Sequence, residues 1–164
     1  MHAKSIEFLQ RMPIFGAIRE DALQFLLEQA REIKVPAGGY FFRENDHAQS
    51  MFVLETGRAE VVKGWQGHDT RLCSLGAGDC FGEMALMDLF PRSASVRALE
   101  DCEAIELSAA DLLRLFERDA EQFALIQMNI GREVCRRLRA TDELLFKATM
   151  GEHQSGVETL FSDH

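Results

Sequence analysis

The residues best able to do chemistry lie between Gly76 and Ala98. Gly76 and Gly78 make a turn, and Gly82 stands at the mouth of one expected helical turn, Glu83 to Met87. The first turn of a helix carries backbone N–H groups with no partner inside the helix, so a glycine-opened start offers donors to an anion. Arg92 comes nine residues after Glu83, where the next expected strand, Ser93–Ala98, begins. Its planar guanidinium can donate two parallel hydrogen bonds, which suits a phosphate. Glu83 is repelled by a phosphate unless it has other work, such as accepting from a sugar hydroxyl or pairing with Arg92. The segment reads as a cradle for phosphate plus ribose. The plain alternative is a turn followed by a surface arginine.

Taken whole, the string is more specific than its parts. Phe81-Gly82-Glu83-Met84-Ala85-Leu86, then Pro91-Arg92-Ser93-Ala94-Ser95-Val96-Arg97-Ala98, resembles the phosphate-binding cassette of the cyclic-nucleotide-binding domain family. The family pattern is F-G-E-[LM]-A-L, a short variable stretch, then P-R-x-A-[ST]-V-x-A. Met51 to Val61 looks like the family's glycine hairpin, and Gly76, Gly78 and Asp79 match the turn that follows. The resemblance spans about residues 5–150. One departure is Asn45-Asp46, where many members have glycine. Asn tolerates the left-handed conformation, so the turn is expected to be kept.

The resemblance implies an α+β fold, an antiparallel, jelly-roll-like β-roll flanked by N-terminal helices and a long C-terminal helix. Residues 1–150 would form the cyclic-nucleotide-binding domain and residues 151–164 a flexible tail. In this reading the backbone at Gly82, Glu83 and Ala85 holds the cyclic phosphate and Arg92 neutralises it. Glu83 takes the ribose 2′-hydroxyl, and Leu86 and Val61 are apolar walls. Met84, Ser93 and Ala94 complete the set within the cassette. Cys135 to Thr141 resembles the stretch that contacts adenine in catabolite-activator-type members, which makes Thr141 a candidate for the base. An aspartate, Asp142, follows where those members have serine. Ser93 is compatible with either cyclic AMP or cyclic GMP, and the Thr141 match favours cyclic AMP.

The elements that must position these residues follow from the hydrophobic pattern. Phe8, Leu9, Met12, Ala22, Leu23, Leu26 and Leu27 fall at helical spacing within residues 5–30, broken by Pro13 and Gly16. From Glu32 to Leu107 short strands alternate with glycine turns: Ile33–Val35, Tyr40–Phe42, Met51–Leu54, Ala59–Val62, Arg71–Leu75, Ser93–Ala98 and Ala104–Leu107. Such spacing predicts a small antiparallel sandwich or barrel. Ser108 or Asp111 can cap the helix that follows, and a longer helix is expected from about Glu121 to Ala148. Its Leu125, Met128, Val134, Leu138 and Leu145 could be core or a homodimer seam. Arg132, Arg136, Arg137 and Arg139 are interleaved with Glu133 and read as a solvated face.

Composition narrows the function classes. A chain of 164 residues, 46% hydrophobic, suits one domain. A formal net charge of −9 disfavours nucleic acid and anionic membranes as partners. Cys73, Cys80, Cys102 and Cys135 form no C-x-x-C pair and the histidines are scattered, so no metal site and no catalytic cluster is expected. The cysteines read as packed, reduced thiols in a cytoplasmic protein. The sequence has neither a signal-like apolar segment near its start nor an apolar run long enough to span a membrane. The expected function is therefore a stand-alone sensor of cyclic AMP, with cyclic GMP as the other ligand, that switches an unidentified protein partner. The alternative is a regulatory fragment, or degenerate relative, of a cyclic-AMP-responsive transcription regulator lacking its helix-turn-helix.

Overall fold

The structure, a computed structural model, describes the backbone of residues 2–161 and the side chains of residues 6–151. Its residues form two compact units, 1–129 and 130–164. The first contains helices α1 (His2–Gln10) and α2 (Glu20–Gln29), joined through a 3-10 turn at Pro13–Phe15. Strands β1 (Arg31–Val35), β2 (Tyr40–Phe42), β3 (Ser50–Thr56), β4 (Ala59–Trp65), β5 (His68–Leu75) and β6 (Cys80–Phe81) follow. After the short helix α3 (Met84–Asp88) come β7 (Ser95–Ala98), β8 (Cys102–Ser108) and α4 (Ala109–Arg118). Helix α5 (Ala120–Phe161) begins in the first unit and runs through the second.

The strands form two antiparallel four-stranded sheets, ordered β1-β8-β3-β6 and β2-β7-β4-β5. Each of the seven expected strands is present, some longer or shorter by a few residues, and the fold class is the α+β roll anticipated. The two-residue β6 was not foreseen, since Cys80-Phe81 shows no alternation of its own. It forms by pairing Phe81 with Phe52 and Cys80 with Val53. Between the sheets pack Phe52, Leu54, Leu75, Phe81, Val96 and Ala98, with Phe41, Phe42 and Val61 only partly buried against them. Phe52 and Phe81 stack at 5.3 Å between centroids, and Phe41 meets the edge of both.

A second apolar cluster lies among the helices. Leu9, Ile14, Phe15, Leu23, Leu26, Leu115 and Ile126 are fully buried. Asn129 Nδ2 donates to the carbonyls of Ile14 and Gly16, satisfying backbone acceptors that the 3-10 turn leaves unpaired. Ser108 caps α4 in a reciprocal capping box with Asp111, so both residues named at the sequence level take part.

In the second unit the helix expected to stop near Ala148 continues to Phe161, across most of the segment expected as a flexible tail. No proline interrupts it, and Gly151 alone does not end a helix, costing about 1 kcal/mol relative to alanine. Residues 162–164 lie outside the described residues. From Leu138 to Gly151 every side chain is exposed, so Leu138 and Leu145 are not core. The cysteines also divide: Cys80 and Cys102 are buried as expected, whereas Cys73 and Cys135 are exposed.

Candidate functional site

The site is assembled where β6 ends and α3 begins. Asp79 accepts from Gly76 N–H through its side chain at 2.8 Å and donates its own N–H to the Gly76 carbonyl at 3.0 Å. That closes the turn which delivers Phe81 to the core and Gly82 to the surface of the roll. Gly82 has φ +77°, and a Cβ there would lie 2.6 Å from Arg92 Nη1 and 3.3 Å from the Phe42 ring. Conformation and space both demand glycine. Glu83 is 3% exposed and precedes the five-residue α3, one residue later than the turn expected at Glu83–Met87. Ala85 is buried, Leu86 is half-buried and Met84 is exposed. The helix ends on Leu89 in the left-handed conformation.

Arg92 is held by its backbone first. Asn45 N–H donates to the Arg92 carbonyl at 2.8 Å, and Arg92 N–H donates to the Asp46 carbonyl at 2.9 Å. Asn45 has φ +70°, so the left-handed turn expected at Asn45-Asp46 is kept, and it serves to clamp the arginine. The guanidinium then reaches inward. Nη1 donates to the Gly82 carbonyl at 3.0 Å and Nη2 to Ser50 Oγ at 3.3 Å. Its carbon lies 4.0 Å from the Phe42 ring centroid and 5.7 Å from that of Phe52, an attraction between cation and ring face.

Only 6% of Arg92 is exposed, and its Nε has no hydrogen-bond partner. Desolvation pushes the arginine's pKa below the usual guanidinium value, while the negative charges of Glu106, Asp46 and Glu83 oppose that shift. A buried cation with an unsatisfied donor is costly unless an anion completes it. The arrangement can therefore receive a small anion and disfavours a neutral ligand.

The remaining sequence-level candidates are distributed as follows. Ala94 is buried just ahead of β7, and Ser93 is exposed, with its carbonyl accepting from Lys63 Nζ at 3.0 Å. Val61 faces the roll interior, paired across β4 with Val96 and Cys73. Arg92 is thus brought onto Gly82 and near the Glu83 carboxylate, while Ala85 and Leu86 lie in the α3 turn that follows and Ala94 lies two residues past Arg92. Thr141 belongs to the second unit, where its Oγ1 donates to the Arg137 carbonyl at 3.0 Å on an exposed stretch of α5.

A family model for the cyclic nucleotide-binding domain matches residues 32–119, more than half of the chain. The chain belongs to the cyclic nucleotide-binding domain family. Among curated relatives, the cyclic AMP receptor protein of Thermus thermophilus is 31% identical over 79% of the chain and 59% of its own length. The cAMP-dependent protein kinase regulatory subunit of Emericella nidulans is 33% identical over 66% of the chain, but only 26% of its own length. The chain thus spans less than two thirds of either relative. The crystal structure of Thermus thermophilus catabolite activator protein superposes with a TM-score of 0.73 at 30% identity, covering 84% of this chain and 63% of that one.

Three residues around Arg92 escaped the sequence reading: Phe42, Ser50 and Glu106. Glu106 stands between the buried Ile105 and Leu107, so β8 reads as apolar on both sides and its acid as incidental. Register shows otherwise. Glu106 lies opposite Phe52, a core residue, and so points to the interior of the roll. A separate open groove of about 460 Å³ beside α2 and β1 is lined by Glu28, Glu32 and Glu55 with Arg31, Leu27 and Ile105. Three carboxylates against one arginine disfavour a phosphate there. Among the described residues, no three His, Cys, Asp or Glu side chains gather as a metal site requires.

Proposed function

We propose that this protein is a cyclic-nucleotide sensor that binds cyclic AMP in the cassette and does no chemistry on it. One observation carries the reading: Arg92 is buried and cationic, its Nε lacks an acceptor, and the Gly82 turn lies within hydrogen-bond reach. In this reading Arg92 takes the cyclic phosphate, together with backbone N–H groups of Gly82, Glu83, Met84 and Ala85. Glu83 accepts from the ribose 2′-hydroxyl, Leu86 and Val61 flank the ligand, and Ser93 and Ala94 carry the chain past the phosphate. Thr141 is assigned to the adenine. The relatives, a cyclic AMP receptor protein and regulatory subunits of a cAMP-dependent protein kinase, support cyclic AMP over cyclic GMP.

The output of such a sensor is a change in partner affinity. A ligand can shift that equilibrium only by its differential affinity for two states. The exposed apolar residues of α5, Leu138, Leu144, Leu145 and Phe146, suit a protein partner or a second copy of the chain. A net charge of −9 argues against nucleic acid as that partner. No helix among the described residues is long and apolar enough to cross a membrane. The second reading, a regulatory portion of a larger transcription regulator, has in its favour the 59% span of the bacterial receptor. It requires the same ligand site.

Equilibrium dialysis against cyclic AMP, cyclic GMP and linear 5′-AMP tests the proposal. Cyclic AMP should be retained most strongly and recovered chemically unchanged. Equal retention of linear AMP, or its accumulation from cyclic AMP, contradicts the reading.

A further inference from the structure

Arg92 is approached from the interior of the roll by two residues that no part of the cassette string contains. Ser50 opens β3, is 8% exposed, and accepts from Arg92 Nη2 at 3.3 Å. Its own hydroxyl proton goes to Glu106 Oε1 at 2.8 Å. The other carboxylate oxygen, Oε2, lies 3.8 Å from Arg31 Nη1 on the neighbouring strand. Register puts Arg31 and Phe52 on either side of Glu106, so the chain of contacts crosses the sheet from its rim to the cassette.

We propose that Ser50 and Glu106 form a relay that positions Arg92 for the ligand phosphate, without either residue touching the ligand. This rests on the reading of Arg92 given above. A serine hydroxyl has one proton and two lone pairs. Because Glu106 takes the proton, a lone pair is left facing Nη2, and the hydrogen bond has one direction. Glu106 also supplies negative charge at one remove, which offsets part of the cost of burying the guanidinium against Phe42 and Phe52. A guanidinium carries five N–H donors. The relay and the Gly82 carbonyl fix two of them, and Nε is among those left for an anion. A long side chain fixed before binding loses less rotamer entropy when the ligand arrives.

The test is cyclic AMP affinity in a set of full-length variants, with the thermal midpoint measured for each. Ser50→Ala should weaken binding about tenfold, the scale of one hydrogen bond to a charged group. Ser50→Thr keeps the hydroxyl and should restore affinity to within about twofold. Glu106→Ala should match Ser50→Ala and add little to it, because the two act in series. In an Arg92→Lys background, which lacks the fork, Ser50→Ala should change affinity by less than about twofold. If Arg92→Ala binds like the parent, the ligand reading fails and the relay with it. If Arg92→Ala binds weakly while Ser50→Ala does not, the relay alone fails. An equal loss from Ser50→Ala in both backgrounds also overturns it, since Ser50 would then act through the fold and not through Arg92.

Discussion

Two groups of arginines in this protein put the same side chain in opposite surroundings. Arg92 lies inside the roll, stacked on Phe42, held by Gly82 and Ser50, with Nε unsatisfied. In the second unit, Arg136 is largely exposed and pairs with Glu133 one turn earlier, and Arg137 joins the same carboxylate at 3.4 Å. The Glu133 side chain is only 11% exposed, but both arginines keep access to water, so their cations are solvated whether or not the pair forms. A buried cation has no such substitute, so its environment must be built for it. The contrast explains why one arginine needs a turn, a glycine, an aromatic floor and a long-range hydroxyl, whereas the others need only helical spacing.

The comparison breaks most visibly at Arg92. Arg92→Ala should cost cyclic AMP affinity by about 2–5 kcal/mol, as expected for removing one partner of a buried charge pair. Next in size is Glu83→Ala. Cyclic AMP should lose about 1.5–3 kcal/mol, one hydrogen bond to a charged acceptor, while 2′-deoxy cyclic AMP, measured by competition, should be nearly unaffected. Equal losses would make Glu83 a structural acid. Gly82→Ala should destabilise the roll by about 1–2 kcal/mol in urea unfolding through its left-handed backbone alone, and affinity should fall as Arg92 is displaced.

Changes in the second unit sharpen the contrast by being small. Arg139→Ala should alter stability by less than about 0.5 kcal/mol and leave cyclic AMP affinity unchanged. Glu133 gives a pH-dependent version. Arg136 foremost, then Arg137, holds its carboxyl below the ordinary value of 4.5, against partial desolvation. A depressed folded pKa contributes stability that is present above about pH 4.5 and lost as pH falls through the lower folded value. The stability difference between the parent and Glu133→Gln should be a few tenths of a kcal/mol at pH 7 and shrink as acid protonates the carboxyl. A difference growing toward acid pH would reverse the sign of the argument.

What the sequence could disclose depended on distance along the chain. Gly82, Glu83 and Arg92 fall within eleven residues, and their relation is carried by one turn and one short helix, legible because that contiguous string resembles the family's cassette. The Asn45 turn was readable because asparagine tolerates the left-handed conformation. Ser50 and Glu106 were not, because what joins them is the register of β3 on β8 across 56 residues, and alternation in β8 is hidden by apolar residues on both faces. Two-residue β6 exists only through its partner. Helix α5 was read too short because a polar run resembles a tail as easily as a solvated helix. Exposure of Cys73 followed from an edge strand that composition does not mark.

Calorimetric titration of cyclic AMP into the parent protein and into Arg92→Ala, side by side at one salt concentration, tests the central claim most directly. The account predicts saturable binding to the parent, one nucleotide per chain, and a loss of affinity of at least about thirtyfold in the variant, equivalent to about 2 kcal/mol. Indistinguishable isotherms for the two proteins, or no binding by the parent, would contradict it.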